Sequence, residues 1–442
     1  MTILIKVIQF LLSLSILIAL HELGHFLAAR LFHTRVEKFY LFFDAWGKKL
    51  FSFKKGDTEY GIGWLPLGGY VKIAGMIDES MDKEQLKRPP QPDEFRSKPA
   101  WQRLIIMLGG VTVNFILGFL IYTLISYAWG TYYVPADGVT YGFSTTDTFH
   151  ELGFQDGDKI LKINGKPVED PTTINKTLLF RKVKSIEVQH PDGQIQEIRI
   201  PENIGHLMFE KGEMQAFTPR VLPLVDSVIP GSPAANAGLR HGDLIVEING
   251  QPTPFATDVN RLITGEELSL AYRRDGEIHR IQITPEFNEQ AGRPLVGIAY
   301  DIDHSIRSGH KTYGFFESIG KGVEVAYNTL YDLISQFKYV FTKKGATQVG
   351  GFITIGKIFP DTWDWKSFWG ITAFLSLMLG FMNLLPIPAL DGGHALFVLV
   401  EMITGKKPGD KFLEYAQIAG FVILIGLLLW ANGNDIYKLI FK

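Results

Sequence analysis

The apolar residues of this 442-residue chain are concentrated in four long runs. About 20 consecutive apolar residues are needed to cross the hydrocarbon core of a bilayer. The runs therefore predict four transmembrane helices, at residues 3–32, 104–129, 368–390 and 416–431. Lys6 near the start of the first run, ahead of a long apolar stretch, is typical of a signal peptide, but no small-residue cleavage site follows, which favours a retained helix.

The segment between the second and third runs, residues 131–303, is turn-rich and alternates apolar with polar positions, which predicts a soluble β-rich insertion. It contains an internal repeat: residues 153–167 match residues 238–252, and the offset from Gly153 to Gly238 is 85 residues. In each copy Gly-Asp opens an alternating strand and Asn-Gly closes it with a hairpin turn.

This repeat resembles tandem PDZ domains. The second copy has the fuller signature, Val-Ile-Pro-Gly-Ser-Pro-Ala-Ala at residues 228–235, whereas the first has Ser-Thr-Thr-Asp at 144–147. The resemblance implies capture of an extended peptide by strand addition; a rigid spacer or steric cap is the alternative. We expect PDZ-like domains at 131–220 and 221–303, an N-terminal membrane half at 1–130, a linker region at 304–366 and a C-terminal membrane half at 367–442.

Three further segments have recognisable patterns. Residues 44–75 contain short alternating runs separated by turns, which predict β-hairpins against the first helix. Residues 78–100 are charged and proline-rich, which is typical of a solvated linker. Residues 313–342 predict an amphipathic helix with a set of apolar residues on one face: Phe315, Phe316, Ile319 and Val323.

Composition narrows the possible functions. With 44 basic and 46 acidic residues the chain lacks the basic footprint of a nucleic-acid-binding protein, and we expect no nucleic-acid partner. It has no cysteine, so disulfides and thiolate metal sites are excluded.

The strongest chemical motif is His21-Glu22-Leu23-Gly24-His25 in the first run. Residues four apart share a helix face, so the two imidazoles can bind one metal ion while Glu22 takes a proton from water. Zinc lowers the pKa of bound water and polarises a peptide carbonyl. A carboxylate inside a membrane helix costs about 2.5–3.5 kcal/mol. The alternative is that the motif lies at a helix end at the membrane interface, with its histidines in contact with water. At 1.5 Å per residue, the motif lies about 27 Å from the start of the run.

A third ligand is predicted from the third run, where Asp391 follows the segment Asn383-Leu-Leu-Pro386-Ile-Pro388. The prolines break the helix, and non-helical backbone at membrane depth occurs only where it is buried or lines a watery cavity. Two histidines, Asp391 and a water would complete a tetrahedral catalytic zinc site, with one Zn²⁺ per chain. His394 is a rival ligand.

The paired motifs, HELGH in the first run and NLLPIPALDGG in the third, resemble the site-2 protease family, and with the PDZ-like insertion the bacterial regulator of sigma-E protease type. Further stretches at residues 68–72, 75–79 and 95–103 are similar to it as well. The resemblance implies a four-helix polytopic membrane protein with a membrane-associated β-hairpin region and two inserted β-rich PDZ domains. It implies an intramembrane zinc metalloprotease with His21, His25 and Asp391 as ligands and Glu22 as base.

The resemblance also implies substrate-binding residues in two segments. Asn383 would hold the substrate backbone, with Pro386 and Pro388 shaping the same segment. The 44–75 region would form a membrane-reentrant β-structure that pairs with an unwound substrate through a short segment: Gly69, Tyr70 and Val71. Gly110 and Asn114 match a Gly-x-x-x-Asn element, for which helix packing through small residues is the alternative.

Loop charges predict the topology. Residues 33–103 and the loop with Lys406, Lys407 and Lys411 are rich in Lys and Arg, which favours a cytoplasmic location for both. The termini and the PDZ pair would then be periplasmic, and the active site would lie toward the cytoplasmic side of a bacterial inner membrane.

The predicted partners are membrane lipid and single-pass membrane substrates of the anti-sigma factor and remnant signal peptide type, after a first cut by another protease. The PDZ pair would either reject bulky outer domains or bind the C-terminus that the first cut leaves. Two rivals to the protease are a non-enzymatic PDZ scaffold and a metal transporter. The four residues His21, Glu22, His25 and Asp391 argue against the scaffold.

Overall fold

The computed structural model describes residues 2–66, 68–76, 89–289 and 291–441. It divides into two compact units, residues 1–130 with 312–442, and residues 131–311. Residues 78–88 of the predicted linker at 78–100, and residues 77–79 of the motif at 75–79, lie outside the described residues.

The first unit is mainly helical. Its helices are α1 (Thr2–Leu31), α2 (Ala100–Trp129), α8 (Phe315–Val340), α9 (Lys343–Gln348), α10 (Phe352–Ile358), α11 (Trp365–Leu384), α12 (Asp391–Thr404) and α13 (Asp410–Phe441), where α3 to α7 belong to the second unit. Among the described residues, α1, α2, α11 and α13 are long and apolar enough to cross a membrane.

The third predicted span ends earlier than its apolar run. Helix α11 stops at Leu384, six residues before the predicted end at 390, because Pro386 and Pro388 cannot continue it. Its start is fixed by Asp364, whose carboxylate accepts a hydrogen bond from the Ser367 N–H at 2.8 Å. The fourth helix is longer than the predicted 416–431, since amphipathic turns extend α13 at both ends.

Helix α8 is the predicted amphipathic helix. The predicted apolar face is exposed, whereas small residues on the opposite face, Ser318, Gly322 and Ala326, are buried. A Cβ on Gly322 would come within 2.4 Å of the Thr123 Cα in α2. Helices α8 and α2 therefore pack backbone to backbone through a small-residue face.

A four-stranded sheet follows α1, with strands β1 (Val36–Leu41), β2 (Lys49–Lys55), β3 (Thr58–Gly63) and β4 (Tyr70–Ile73) in the order β2-β3-β1-β4. Strands β2 and β3 form a hairpin. Strand β3 then pairs with β1 in parallel, and β4 pairs antiparallel with the other side of β1. The alternation predicted short strands here, but β1 and its parallel pairing were not predicted.

The second unit contains two similar lobes. The first lobe has strands β6 to β11, and the second has strands β12 to β19. Strands β5 and β20 pair with each other and so join the two ends of the unit. The strands of the unit are β5 (Thr131–Tyr133), β6 (Phe143–Thr145), β7 (Lys159–Ile163), β8 (Lys166–Pro167), β9 (Ser185–Gln189), β10 (Ile195–Arg199), β11 (Phe217–Pro219), β12 (Val225–Val228), β13 (Leu244–Ile248), β14 (Gln251–Pro252), β15 (Leu268–Arg274), β16 (Glu277–Ile283), β17 (Glu286–Asn288), β18 (Arg293–Leu295), β19 (Ile298–Tyr300) and β20 (Gly309–Lys311). Its helices are α3 (Asp147–His150), α4 (Ile174–Phe180), α5 (Ile204–Lys211), α6 (Pro233–Asn236) and α7 (Ala256–Leu262).

The internal repeat corresponds to these lobes. Their main sheets have equivalent orders, β10-β9-β7-β8 and β14-β13-β15-β16. The predicted Asn-Gly turns have left-handed backbone at both positions, with φ of 52° and 75° at Asn164-Gly165 and 49° and 76° at Asn249-Gly250. Positive φ at both central residues is what a type I′ hairpin turn requires. Each lobe has its own apolar core.

Candidate active site and metal centre

The two motif histidines lie one turn apart on the face of α1 that meets α2. Both are 8% exposed, and their Nε2 atoms are 3.3 Å apart. Glycines permit this arrangement. A Cβ on Gly24 would lie 2.3 Å from the Gly109 carbonyl oxygen, and one on Gly110 would lie 2.4 Å from Nε2 of His25. Gly110 therefore leaves the space that the imidazole rings occupy.

Asp391, the first residue of α12, lies opposite the two histidines. Its Oδ2 atom is 3.2 Å from Nε2 of His21 and 3.4 Å from Nε2 of His25. This oxygen is buried and has no hydrogen-bond donor among the described residues. Potential ligand atoms of these three residues lie within 4.8 Å of one another. A buried carboxylate oxygen facing two imidazole nitrogens fits a divalent cation, and three protein ligands leave a fourth tetrahedral position open.

Residues of helix α2 contact the Nδ1 atoms of both imidazoles, on the side away from the metal-facing Nε2 atoms. Nδ1 of His25 lies 2.8 Å from the Ile106 carbonyl oxygen, so Nδ1 carries the proton and Nε2 is the metal-facing atom. Nδ1 of His21 lies 3.0 Å from the amide of Asn114, which is completely buried. The facing atom is the Asn114 amide nitrogen, and the amide oxygen has no hydrogen-bond partner among the described residues. If His21 binds metal through Nε2, its Nδ1–H needs an acceptor, and turning the Asn114 amide by 180° would supply that oxygen.

Glu22 lies beside the metal-binding atoms and next to the end of the small sheet. Its carboxylate accepts a hydrogen bond from the main-chain N–H of Val71 in β4. A Cβ on Gly69 would lie 3.5 Å from Cγ of Glu22 and 2.6 Å from Ile18, so a larger residue would collide with α1. The N–H of Ala74 faces the other way, toward the Arg35 carbonyl on the β1 side. The Val71 N–H therefore lies on the edge of β4 that faces the active site.

The orientation of β4 is supported by polar contacts at its start. The Tyr70 hydroxyl donates to Asp44 at 2.9 Å, and the Lys38 ammonium donates to the same carboxylate at 3.0 Å. Burial acts to raise the pKa of Asp44, but the hydrogen bonds from Lys38 and Tyr70 outweigh it and hold that pKa below its ordinary value. Burial and the Asp44 contact raise the pKa of Tyr70. Both contacts therefore persist at neutral pH.

The broken segment between α11 and α12 brings Asn383 into the same site. The Asn383 amide nitrogen lies 3.3 Å from Nε2 of His21. Pro386 and Pro388 lie in the turn that reverses the chain, and Ala389 in this turn has φ of 79°. A Cβ on Gly420 would overlap the Pro388 carbonyl, so α13 packs directly on the turn. Pro386 and Pro388 thus shape the segment that connects Asn383 to Asp391.

Some of this site was not predicted. The Ile106 carbonyl as partner of His25 has no sequence signal, since any residue has a carbonyl group. Asn114 was predicted only as part of a Gly-x-x-x-Asn element, without its contact to His21. His394 is not in the cluster of potential ligands among the described residues; it lines a separate cavity.

Comparison with known proteins identifies the family. The family model for Peptidase family M50 matches residues 9–427. The chain is 28% identical to the Regulator of sigma E protease of Haemophilus influenzae over 98% of both chains, and 28% identical to Regulator of sigma-E protease RseP of Escherichia coli with the same coverage. A Neisseria meningitidis protein provisionally named a zinc metalloprotease is 30% identical over 98% of this chain and 99% of its own.

Part of the chain is also similar to solved structures. The crystal structure of the PDZ domain of an SdrC-like protein from Listeria monocytogenes covers 20% of this chain and 97% of its own, with 26% identity and a TM-score of 0.17.

Two buried histidines on an apolar helix, an adjacent glutamate and a converging aspartate define a zinc metalloprotease whose chemistry takes place within membrane helices. The chain belongs to Peptidase family M50. It is a zinc-dependent intramembrane protease related to regulators of sigma-E proteases.

Proposed function

We propose that this chain hydrolyses peptide bonds within the transmembrane segments of single-pass proteins, with anti-sigma factors and remnant signal peptides as the substrate class. The observation that carries the proposal is the position of Glu22. Its carboxylate lies between the metal-facing atoms of α1 and the outward N–H groups of β4. A base, a metal centre and a strand edge therefore meet at one point.

The proposed zinc ligands are Nε2 of His21, Nε2 of His25 and Oδ2 of Asp391. When bound, zinc supplies Lewis-acid polarisation of the scissile carbonyl and activation of water. The Glu22 carboxylate takes the proton of the attacking water and later gives it to the leaving amide nitrogen. The Asn383 amide is within reach of the substrate carbonyl and orients it. Asn114 and the Ile106 carbonyl keep both imidazole protons on Nδ1.

The free edge of β4 provides the proposed binding site for the unwound substrate. A helix that opens in a low-water site exposes main-chain groups that need partners. The Val71 N–H is directed to Glu22 and away from β1, strand alternation predicts the same side for the Ile73 N–H, and Gly69 lets the chain come close to Glu22. The substrate would add to β4 as an extended strand, with its scissile bond beside Glu22.

Cleavage of a labelled single-pass substrate in membranes tests the proposal. We expect cleavage by the parent chain, loss of cleavage with a zinc chelator and recovery when zinc is returned. The Glu22→Gln chain in the same membranes is the control for contaminating proteases. Cleavage that continues in the Glu22→Gln membranes would contradict the assignment.

We propose a bacterial inner-membrane location, with residues 131–311 periplasmic and the metal site toward the cytoplasm. The loop charges support this orientation. Protease digestion of sealed spheroplasts, read with a tag inserted at the exposed Asn164-Gly165 turn and another after Lys442, tests the side on which each lies.

We propose that both lobes are PDZ domains and that the pair acts as a size filter. The first lobe closes its own peptide groove. The Asn175 amide, on α4, donates to the Phe217 carbonyl at 2.7 Å and accepts from the Phe217 N–H at 2.9 Å. These are the hydrogen bonds that an added strand would make. Pro219, which pairs with Phe143, has no N–H at all.

The second lobe differs at the equivalent positions. Ile298 pairs with Val228, as Pro219 pairs with Phe143, and it retains its N–H. The described residues supply no acceptor for the N–H groups of Val296 and Gly297. Asn260, 85 residues after Asn175, instead lies 3.5 Å from the Tyr300 hydroxyl. Peptide binding would therefore be confined to the second lobe. A peptide receptor would need only that lobe, so the presence of both lobes favours the size filter.

Deleting residues 137–303 distinguishes the two roles. The deletion keeps strands β5 and β20, whose pairing can close the shortened chain. A filter predicts that untrimmed substrates are now cut, whereas a receptor predicts that trimmed substrates are no longer cut. If the deleted chain still rejects untrimmed substrate and cuts trimmed substrate normally, neither role is correct.

A further inference from the structure

Arg103 and Glu401 form a buried ion pair between two helices of the metal site. Arg103 is the last residue of the family-like stretch at residues 95–103 and lies in the first turn of α2, whereas Glu401 lies near the end of α12. Nη2 of Arg103 donates to a carboxylate oxygen of Glu401, and the two side chains are 8% and 18% exposed. Neither residue has a part in the mechanism described above.

The guanidinium of Arg103 is itself held in place. Its Nε–H donates to the Lys98 carbonyl at 3.0 Å, so the group is fixed by the main chain that leads into α2. A guanidinium presents its N–H donors in a rigid plane. The Lys98 contact therefore restricts where the Glu401 carboxylate can lie.

Helix α12 depends on contacts with its neighbours for its position. It is separated from α11 by the non-helical segment at residues 385–390, and it ends at Gly405, whose φ is 68°. At its start, a Cβ on Gly393 would lie 2.3 Å from a carbonyl oxygen of that segment, so this end packs tightly on the turn. Glu401 follows Asp391 by about 15 Å along the helix axis, at 1.5 Å per residue. The ion pair therefore holds the end of α12 that the turn does not reach.

The same ion pair is connected to the other side of the metal site through α2. Arg103 lies about one turn before Ile106, whose carbonyl oxygen is 2.8 Å from Nδ1 of His25. Nε2 of His25 in turn faces Oδ2 of Asp391 at 3.4 Å. The contacts form a closed ring, which runs from His25 through α2 to the ion pair and back through α12 to Asp391. Loss of the ion pair would open this ring and let α12 move away from α2.

We propose that Arg103 and Glu401 are positioning residues for the zinc site, which hold the Asp391 carboxylate close enough to the two histidines for all three to bind one ion. They act through α2 and α12, since neither belongs to the cluster of potential ligands among the described residues. The proposal rests on the proposed assignment of Asp391 as a zinc ligand. Loss of a group that orients a metal ligand typically lowers metal affinity 10–100-fold.

Zinc affinity of the purified full chain tests the proposal. Competition with a chromogenic chelator measures the affinity, and the unfolding temperature of the metal-free chain measures stability separately. Glu401→Leu should bind zinc about tenfold more weakly than the parent. Glu401→Gln keeps an oxygen that accepts from the guanidinium, so it should bind zinc nearly as the parent does. Cobalt(II) in place of zinc should give an altered visible spectrum in the leucine variant only, because this spectrum depends on ligand geometry.

Two further variants show whether the effect belongs to this ion pair. Combining Arg103→Leu with Glu401→Leu should weaken zinc binding no more than the more damaging single change does, because the two residues act together. Lys6→Leu breaks another ion pair of the helical unit, with Asp361 at 2.9 Å, which does not involve α12, and it should keep the parent affinity. Losses that multiply in the double variant, or an equal loss in Lys6→Leu, would overturn the proposal.

The remaining outcomes separate the positioning role from the ligand assignment. Parent zinc affinity and cobalt spectrum in Glu401→Leu, with only the unfolding temperature lowered, would show that the ion pair stabilises the fold and does not position the site. If Asp391→Ala loses zinc in the same series, the ligand assignment survives that result. If Asp391→Ala binds zinc as tightly as the parent, the ligand assignment and the positioning role are both wrong.

Discussion

The Asn114 side chain lies 3.0 Å from Nδ1 of His21, although the two residues are on different helices and both are buried. This contact defines the rotation of the His21 ring. Ser376 hydrogen-bonds the Asn114 carbonyl at 2.7 Å, so α11 in turn fixes this part of α2. Asn114 is thus a positioning residue that acts on the metal through His21.

Replacement of Asn114 tests that role. Asn114→Leu keeps the approximate volume but removes the acceptor for the His21 Nδ1–H, and we expect zinc affinity to fall about 10–100-fold. Asn114→Asp keeps an oxygen at the same place and should retain most of the affinity. Zinc competition with a chromogenic chelator measures both. Equal affinity in the leucine variant and the parent would leave Asn114 with a packing role only.

Glu22→Gln separates the base from the ligands. The amide cannot take a proton from water, so cleavage should fall by at least about 10²-fold, the lower end of what general base catalysis contributes. Bound zinc should stay at the parent level, because Glu22 is not one of the three converging residues. Metal analysis and substrate cleavage on the same preparation check this, and substantial activity in the variant would refute the mechanism.

Asp391→Ala tests the third ligand against its rival. Removing a direct ligand should lower zinc content and abolish cleavage together. His394→Ala is the matched control, since it lies on the same helix but outside the ligand cluster, and it should keep the metal. The opposite result, with metal lost from the His394 variant and kept in the Asp391 variant, would exchange their roles.

Val71→Pro tests the edge of β4. The Val71 N–H donates to Glu22 at the edge of β4 that faces the active site, so proline there removes this edge donor, together with its contact to the base, without removing a β1–β4 hydrogen bond. We expect cleavage to slow about tenfold with zinc retained. Val71→Ala keeps the N–H and is the control for the lost side chain. Equal rates for the proline and alanine variants would count against strand pairing.

The first lobe of the insertion should have pH-dependent stability. His190 is buried between the Gln196 amide oxygen at 2.9 Å and the Asp158 carboxylate at 2.7 Å, and these two contacts raise its pKa above the ordinary value. Because the folded pKa is raised, the stabilisation is fully present below the unfolded pKa of about 6.5 and is lost as pH rises through the folded pKa.

Unfolding of the 131–311 unit across pH 5–9 checks this. The parent should lose stability as pH rises through this range, and His190→Gln should show a flatter profile. In the second lobe Arg274 replaces the histidine as partner of the equivalent Asp243, at 2.6 Å, and stays charged throughout. A parent profile as flat as that of His190→Gln would show that His190 stays neutral in the folded lobe.

How far the sequence predicts each feature depends on how local that feature is. The HExxH spacing places two imidazoles on one face because four residues make about one helical turn. The Asn-Gly turns could be predicted because a hairpin turn depends only on the dihedral angles of its own residues. The apolar runs indicated spans because bilayer thickness sets their length. The helix break at Pro386 and Pro388 follows from proline geometry, although the apolar run did not show that α11 ends at Leu384.

Features that depend on distant parts of the chain required the tertiary structure. Three such features depend on main-chain groups, which every residue type provides. They are the parallel pairing of β1 with β3, the contact of His25 with the Ile106 carbonyl, and the contact of the Asn175 side chain with the main chain of Phe217 in the first lobe. Composition and periodicity therefore do not predict which main-chain groups will meet. The residue types for zinc chemistry could therefore be identified from the sequence, whereas the contacts that orient them arise only where α1, α2 and α12 pack together.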